Sequence, residues 1–436
     1  MRKRRLKLPI PAGNDSRIIR RQQIQAPFFG LILLLAIEIA PVSPYTALWA
    51  TPAILISAML IAWAAESAQF FIAQGFALAI LAWLQTLPEF AVEAVLAWKQ
   101  QVPLLLANLT GALRLLTGVG WPLIYFTAAF FYRRRYGSPM RRIELQHEHC
   151  VEVIGLMVPL FYIAFIYVKA SLNVWDAVVL ILIYVAYLLV LSKMPPQEPE
   201  GIEDLERIPR AVVTSPKNVR IVLIAGLFVL GGGLIYMTAE PFLGSLLAIS
   251  AVIGIPSFVF VQWVAPFVSE FPEKVSAFYW ARTVDRSSMA LMNMVSSNIN
   301  QWTLLTAMLP IVYSMSIGSP SSIPFDERQR LELLMTLGQS LVGLMFLINM
   351  GLAAWEAGML FAMWFIQFAF SAVEGGPGIL GALAGHVHEY VAYGYFVWAA
   401  FEIGRMLLGR SHPTAFVLFA EVWRTRIRPP KHAALK

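Results

Sequence analysis

The sequence predicts an all-α, polytopic membrane protein of about twelve transmembrane helices. Its core is an inverted repeat of five plus five helices, with one added helix at each end. Three observations lead there. Hydrophobic residues fill 58% of the 436 positions and charged residues only 14%, a balance that suits membrane spans rather than a soluble enzyme. Long apolar stretches follow one another with short polar gaps, several of them rich in arginine. A Pro-Glu pair interrupts two of these stretches at matching places: Thr86-Leu87-Pro88-Glu89 and, 184 residues on, Glu270-Phe271-Pro272-Glu273.

A spanning helix needs about 20 mostly apolar residues. Spans are expected near Gln22–Ala40, Tyr45–Ala65, Ser67–Trp98, Val102–Tyr132, His149–Lys169, Val174–Leu191, Asn218–Met237, Phe242–Trp280, Ser288–Met315, Arg330–Met350, Ala354–Val373 and His386–Leu408. Lys and Arg beside a span stay on the cytoplasmic side, so the basic clusters orient the set. Arg2, Lys3, Arg4, Arg5, Lys7, Arg17, Arg20 and Arg21 place the N-terminus inside. Arg133, Arg134, Arg135, Arg141 and Arg142 come four spans later, the linker Lys193–Lys217 two spans after that, and the tail Arg405–Lys436 after the twelfth. Every interval is even. Both termini are therefore expected in the cytoplasm, with the chain in a bacterial inner (plasma) membrane. The opening Met1-Arg2-Lys3-Arg4-Arg5 lacks a cleavage pattern and reads as a retained tail.

The run Pro195-Pro196-Gln197-Glu198-Pro199-Glu200 joins two five-span units as an extended connector. An odd number of spans per unit makes the second copy enter from the opposite face, which would bring the two Pro-Glu helices together antiparallel. The resulting division is a basic tail (1–25), an added helix (26–44), a first repeat (45–192), a linker (193–217), a second repeat (218–375), a second added helix (376–410) and a basic tail (411–436).

Composition also excludes. The net charge is +7, but the basic residues cluster beside apolar segments instead of forming a nucleic-acid-binding face. The partners expected are the lipid bilayer and inorganic cations, with no nucleic acid. A single cysteine, Cys150, rules out an internal disulfide and a cysteine-based zinc site. No nucleophile–base pair or metal triad is evident, so neither an enzyme nor a resident cofactor is expected.

Proline removes a backbone hydrogen bond and breaks or kinks its helix, freeing carbonyls beside the following glutamate. A carboxylate inside a membrane is costly unless it binds something, so Glu89 and Glu273 are read first as a site. Gln85, Glu89 and Glu93 fall at i, i+4 and i+8 and share a face if the helix continues past Pro88, with Thr86 one position round. Ser269 and Glu273 repeat the i, i+4 spacing, and Glu270 stands where Thr86 stood. The next segments add Asn108 and Thr110 in one copy, and Asn293, Ser296, Ser297, Asn298, Asn300 and Gln301 in the other. Carboxylate, hydroxyl and amide oxygens suit hard cations such as Na⁺ and Ca²⁺. The bland alternatives are an interfacial kink for Pro-Glu and interhelical hydrogen bonding for Asn and Ser. Two copies at matching positions, each about twenty residues before an asparagine, favour the site.

These residues carry a resemblance. Thr86-Leu-Pro-Glu89 with Asn108-Leu-Thr-Gly111, and Ser269-Glu-Phe-Pro-Glu273 with Asn293-Met-Val-Ser-Ser-Asn298, resemble the two α-repeats of the cation/Ca²⁺ exchanger superfamily. The resemblance implies a five-plus-five core over roughly Tyr45–Val373, with Glu89 and Glu273 as paired cation ligands. It adds Gln85, Thr86, Ser269, Ser297 and Gln301 as oxygen donors, and Asn108 and Asn293 as helix-break or site-lining amides. The function implied is secondary antiport of Ca²⁺ against Na⁺ or H⁺. Departures from the pattern are Ala112 and Leu116, where oxygens are expected, and Glu270 and Gln301, which replace a hydroxyl and an asparagine or aspartate. Glu93 and Arg114 are candidate modulators. Arg114 would satisfy Glu89, Glu93 or Glu270 as a built-in cation, or face an aqueous vestibule. The alternatives are a proton-coupled monovalent cation antiporter, and a non-transporting scaffold or sensor whose pocket Arg114 neutralises.

Four further features are weaker. His147, His149 and Glu152 open one span and His386, His388 and Glu389 another, where polar caps are expected. Glu66 and Glu356 are extra membrane carboxylates, and Gly231-Gly232-Gly233 reads as a packing or hinge site.

Overall fold

A computed structural model describes residues 42–71, 82–194, 202, 205–371 and 379–427. The expected span Gln22–Ala40 lies outside them. The first repeat comprises α1 (Ala47–Ala68), α2 (Leu87–Trp98), α3 (Val102–Leu115), α4 (Trp121–Tyr136), α5 (Cys150–Lys169) and α6 (Val174–Leu191). A short α7 (Arg207–Val213) precedes the second repeat. There follow α8 (Lys217–Ile253), α9 (Ser257–Ser269), α10 (Phe271–Arg282), α11 (Ser287–Asn300), α12 (Thr306–Ile317), α13 (Glu327–Leu347) and α14 (Ala354–Ser371). The chain continues with α15 (Ile379–Leu407) and α16 (Thr414–Val422).

Six described segments are long and apolar enough to cross a bilayer by themselves: α1, the α3–α4 pair, α5, α6, α8 and α13. The other core elements fall short because they carry the polar residues. α2, α10 and α11 hold the Pro-Glu pairs and the asparagines.

Two small sheets establish the inversion. β1 (Arg142–Glu144) precedes α5 and pairs antiparallel with β4 (Gly351–Ala353), which follows α13. β2 (Ser171–Leu172) follows α5 and pairs with β3 (Ile323–Pro324), which precedes α13. Thus α5 runs from the first sheet to the second and α13 runs back, as two repeats of opposite orientation require. The ends of α4 and α12 match as well. Each stops at a glycine in the left-handed conformation, Gly137 (φ 70°) and Gly318 (φ 80°), where a side chain would be strained.

The Pro-Glu breaks superimpose in backbone terms. Thr86 has φ −86°, ψ −1° before α2, and Glu270 has φ −91°, ψ 2° before α10, with proline in the first turn of each new helix. A second shared irregularity, absent from the sequence reading, is a π turn at Leu116–Gly120 between α3 and α4 and another at Gln301–Leu305 between α11 and α12. Such turns widen a helix locally and gather at functional sites.

Two span boundaries are corrected: α15 begins at Ile379, so His386 and His388 lie inside the helix instead of capping its start, and the other correction falls at Pro241. Separate spans were expected to end at Met237 and restart at Phe242, but α8 runs unbroken through Pro241 to Ile253. The helix stops instead at Gly254 (φ 73°), two residues before Pro256. A left-handed glycine closes the last carbonyls, whereas a proline inside a long apolar helix costs one hydrogen bond and bends it. The next crossing is consequently the broken α9–α10 pair.

The interior is built from α3 and α11, whose residues are buried nearly all round. α8 faces outward and packs on α1, where Gly231 lies against Ile61 and Ser57 donates to the Gly231 carbonyl at 2.8 Å. Gly231 is thus a packing position within a continuous helix. α15 lies on α13, with Gly338 under Tyr395 and Phe396.

Candidate cation site

The helix breaks direct Gln85, Thr86, Glu89 and Glu93 inward from one repeat and Ser269, Glu270 and Glu273 from the other, and all seven are buried. Their bonds cross between repeats. Asn293 donates to Gln85 Oε1 at 3.3 Å, and Asn300 donates to Thr86 Oγ1 at 2.5 Å. The Gln301 amide donates to Glu89 Oε2 at 2.7 Å and to Glu270 Oε1 at 2.8 Å, bridging the two carboxylates. Asn298 donates to Thr117 Oγ1 at 3.2 Å, tying α11 to the π turn of the first repeat.

Within each repeat, Asn108 donates to Glu93 Oε1 at 3.2 Å and the Ser297 hydroxyl donates to Glu273 Oε1. Ser269 turns back on its own helix, donating to the Ala265 carbonyl at 3.1 Å. Glu89 has no serine partner because Ala112 stands at the position of Ser297, so it leans across to Gln301.

After these bonds are made, the remaining atoms are nearly all acceptors. Glu89 Oε1, Glu93 Oε2, Glu273 Oε2, Asn108 Oδ1, Asn293 Oδ1, Asn298 Oδ1, Asn300 Oδ1 and Gln301 Oε1 are buried without a donor. Stranding one buried acceptor costs about 1–3 kcal/mol. A cluster drawn from both repeats is chemistry that a cation, not another hydrogen bond, would satisfy. No three His, Cys, Asp or Glu side chains gather among the described residues as a metal cluster. The oxygens mix a few carboxylates with amides and hydroxyls.

Arg114 does not neutralise this pocket. Its side chain is 0% exposed, and its guanidinium donates to Glu332 Oε2 at 2.5 Å, Gln367 Oε1 at 3.0 Å and the Thr110 carbonyl at 3.1 Å. The ring of Trp263 lies 4.9 Å from it. Gln262 also donates to Glu332 Oε2, at 2.8 Å, and His388 lies 3.5 Å from Glu332 Oε1. Arg114 therefore belongs to a separate buried network on α3, α9, α13, α14 and α15. The sequence reading missed it because Glu332 lies 218 residues from Arg114.

The more consequential omission is Lys274, buried beside Glu273, whose ammonium donates to Glu270 Oε2 at 2.5 Å. An acid followed four residues later by lysine on one helix was the available signal. The weaker features resolve simply. Glu66 accepts from Ser276 at 3.0 Å, Glu356 accepts from the Ala353 amide at 2.7 Å, and the exposed His386 lies 3.7 Å from Glu389.

Helices in two inverted repeats around a buried oxygen cluster define a membrane cation transporter. The sodium/calcium exchanger protein family matches residues 42–193 and 223–373, more than half of the chain, and the chain belongs to that family. It is similar to the H⁺/Ca²⁺ exchanger CAX at 29% identity and a TM-score of 0.81, over 95% of this chain and 98% of the other. YfkE shares the fold at 14% identity and a TM-score of 0.58, over 80% and 98%. The sodium-calcium exchanger NCX_Mj shares it at 18% identity and 0.50, over 74% and 96%. No curated protein matches the sequence.

Proposed function

We propose that this chain is a secondary active antiporter that exchanges Ca²⁺ for protons, or for Na⁺, by alternating access. The observation that carries the reading is the set of buried, donorless oxygens that both repeats contribute around Glu89 and Glu273. Ca²⁺ entering the cage would be coordinated by Glu89 Oε1 and Glu273 Oε2, with amide oxygens of Asn108, Asn293 and Gln301 completing a shell of hard ligands. Protons or Na⁺ arriving at the same carboxylates would compete with Ca²⁺. That competition couples the two fluxes without ATP, as the repeats rock about the site. Protons are favoured as the driving ion by similarity to CAX and by Glu93, a further carboxylate with a free oxygen beside the cage.

The basic clusters support a plasma-membrane location with both termini cytoplasmic. The exchanger repeats would span 45–192 and 218–375, joined by the cytoplasmic linker 193–217. Proteoliposomes carrying an imposed pH or Na⁺ gradient test the reading. Gradient-driven ⁴⁵Ca²⁺ uptake is expected from the wild type and not from Glu273→Gln. Equal uptake by both proteins would remove Glu273 from the site.

A further inference from the structure

The second repeat carries an ion pair that the first does not. At the 184-residue offset of the two Pro-Glu motifs, Glu270 stands at the place of Thr86 and Lys274 at that of Phe90, so both charges are confined to one copy. Lys274 and Glu270 are 5% and 1% exposed, so the ammonium is held inward on its partner instead of snorkelling out. Lys274 fills Glu270 Oε2 at 2.5 Å, while Gln301 fills Oε1 at 2.8 Å. The outcome differs among the four carboxylates. Glu89, Glu93 and Glu273 each keep an oxygen without a donor, and Glu270 keeps none.

We infer that Lys274 is a tethered cation holding the place at Glu270 that a second transported ion would take. The cage then loads a single ion at Glu89 and Glu273. This rests on the antiporter reading above and adds to it what limits occupancy. A fixed positive charge inside a low-dielectric pocket repels a second mobile cation without blocking the first. Glu270 is thereby the counter-ion of Lys274 and not a ligand of the cargo. It is also bonded through Gln301 to Glu89, so the tethered charge adjoins the binding carboxylate.

Equilibrium ⁴⁵Ca²⁺ binding to the purified full-length chain in detergent, with Na⁺ as competitor, tests the inference. The wild type is expected to bind one Ca²⁺ per chain and to lose it to Na⁺ with a Hill slope of about 1. Lys274→Gln exposes Glu270 and should gain a second bound ion, seen as a second Ca²⁺ per chain or as a Na⁺ competition slope rising towards about 2. Lys274→Arg should behave as the wild type. The paired replacement Lys274→Gln with Glu270→Gln swaps an ion pair for neutral groups of similar size and is expected to keep single-ion binding. Unchanged stoichiometry and slope in Lys274→Gln would overturn the inference. Loss of Ca²⁺ binding in the paired variant, folded by size exclusion, would also overturn it by making Glu270 a ligand. Absence of saturable binding in the wild type would instead sink the antiporter reading itself.

Discussion

Gln301 and Glu89, 212 residues apart in sequence, are joined by a 2.7 Å hydrogen bond that spans the two repeats. The glutamine begins the π turn of the second repeat, and the glutamate lies in the first turn of a helix that opens after a proline break in the first. Without a cation, the amide holds the carboxylate in place. Gln301→Ala should therefore lower the thermal stability of the cation-free protein, stranding acceptors worth about 1–3 kcal/mol each. Saturating Ca²⁺ should restore part of the loss, because a ligand that binds the folded state stabilises it. Melting curves in detergent, with and without Ca²⁺, check this. A cation-free melting temperature equal to that of the wild type would count against it.

Ser297 separates orientation from charge. Its hydroxyl donates to Glu273, so Ser297→Ala leaves the carboxylate in place but frees it to turn. Ca²⁺ binding should weaken less than in Glu273→Gln, where loss of a charged contact of ~1.5–3 kcal/mol predicts roughly a tenfold or greater effect. Ca²⁺ titrations of the two variants give the order directly. The reverse order would place Glu273 outside the cation shell.

Stability and transport should separate at Arg114. Removing one partner of a buried ion pair leaves the other charge uncompensated, so Arg114→Met is expected to cost about 3–5 kcal/mol. Adding Glu332→Gln to the same protein should recover much of that cost. Because this network is bonded elsewhere than to Glu89 or Glu273, the paired variant should retain cation binding. Denaturation midpoints and Ca²⁺ titrations of single and paired variants measure the two effects separately.

Acid should oppose Ca²⁺ binding. Carboxylates bind the ion only when deprotonated, so each proton that Ca²⁺ displaces lowers its apparent affinity as pH falls, by up to about tenfold per pH unit. The sign is fixed: affinity rises with pH until the ligands are deprotonated, then levels off. Ca²⁺ binding isotherms from neutral to acid pH report it, and an affinity independent of pH would argue against protons as the counter-ion.

Packing in the cage's surroundings is equally constrained. A Cβ on Gly111 would lie 1.9 Å from the Gln262 carbonyl oxygen on α9, so α3 and α9 meet backbone to backbone there. Gly111→Ala is expected to destabilise by about 1–3 kcal/mol through overpacking, measurable as a lowered melting temperature.

Much of this architecture was legible in local chemistry. Apolar length marks a span, proline followed by glutamate marks a broken helix with a carboxylate beside it, and the duplication marks two repeats of one plan. Those signals depend on neighbours in sequence, as do the Glu270 and Lys274 spacing and the glycine that ends α8. Local signals also misled at Pro241, because a proline within a long apolar helix need not end it.

What the sequence by itself determined was the membrane class, the repeated Pro-Glu elements and the oxygen-bearing residue types that could serve a hard cation. Only the tertiary structure decided which of those residues face one another. It drew Arg114 to Glu332 and away from the cage, set Lys274 on Glu270, and left Glu89 and Glu273 with free oxygens. The physical reason is that buried charge is settled by the nearest available partner in space, and across an inverted repeat that partner can lie some 200 residues away in the chain.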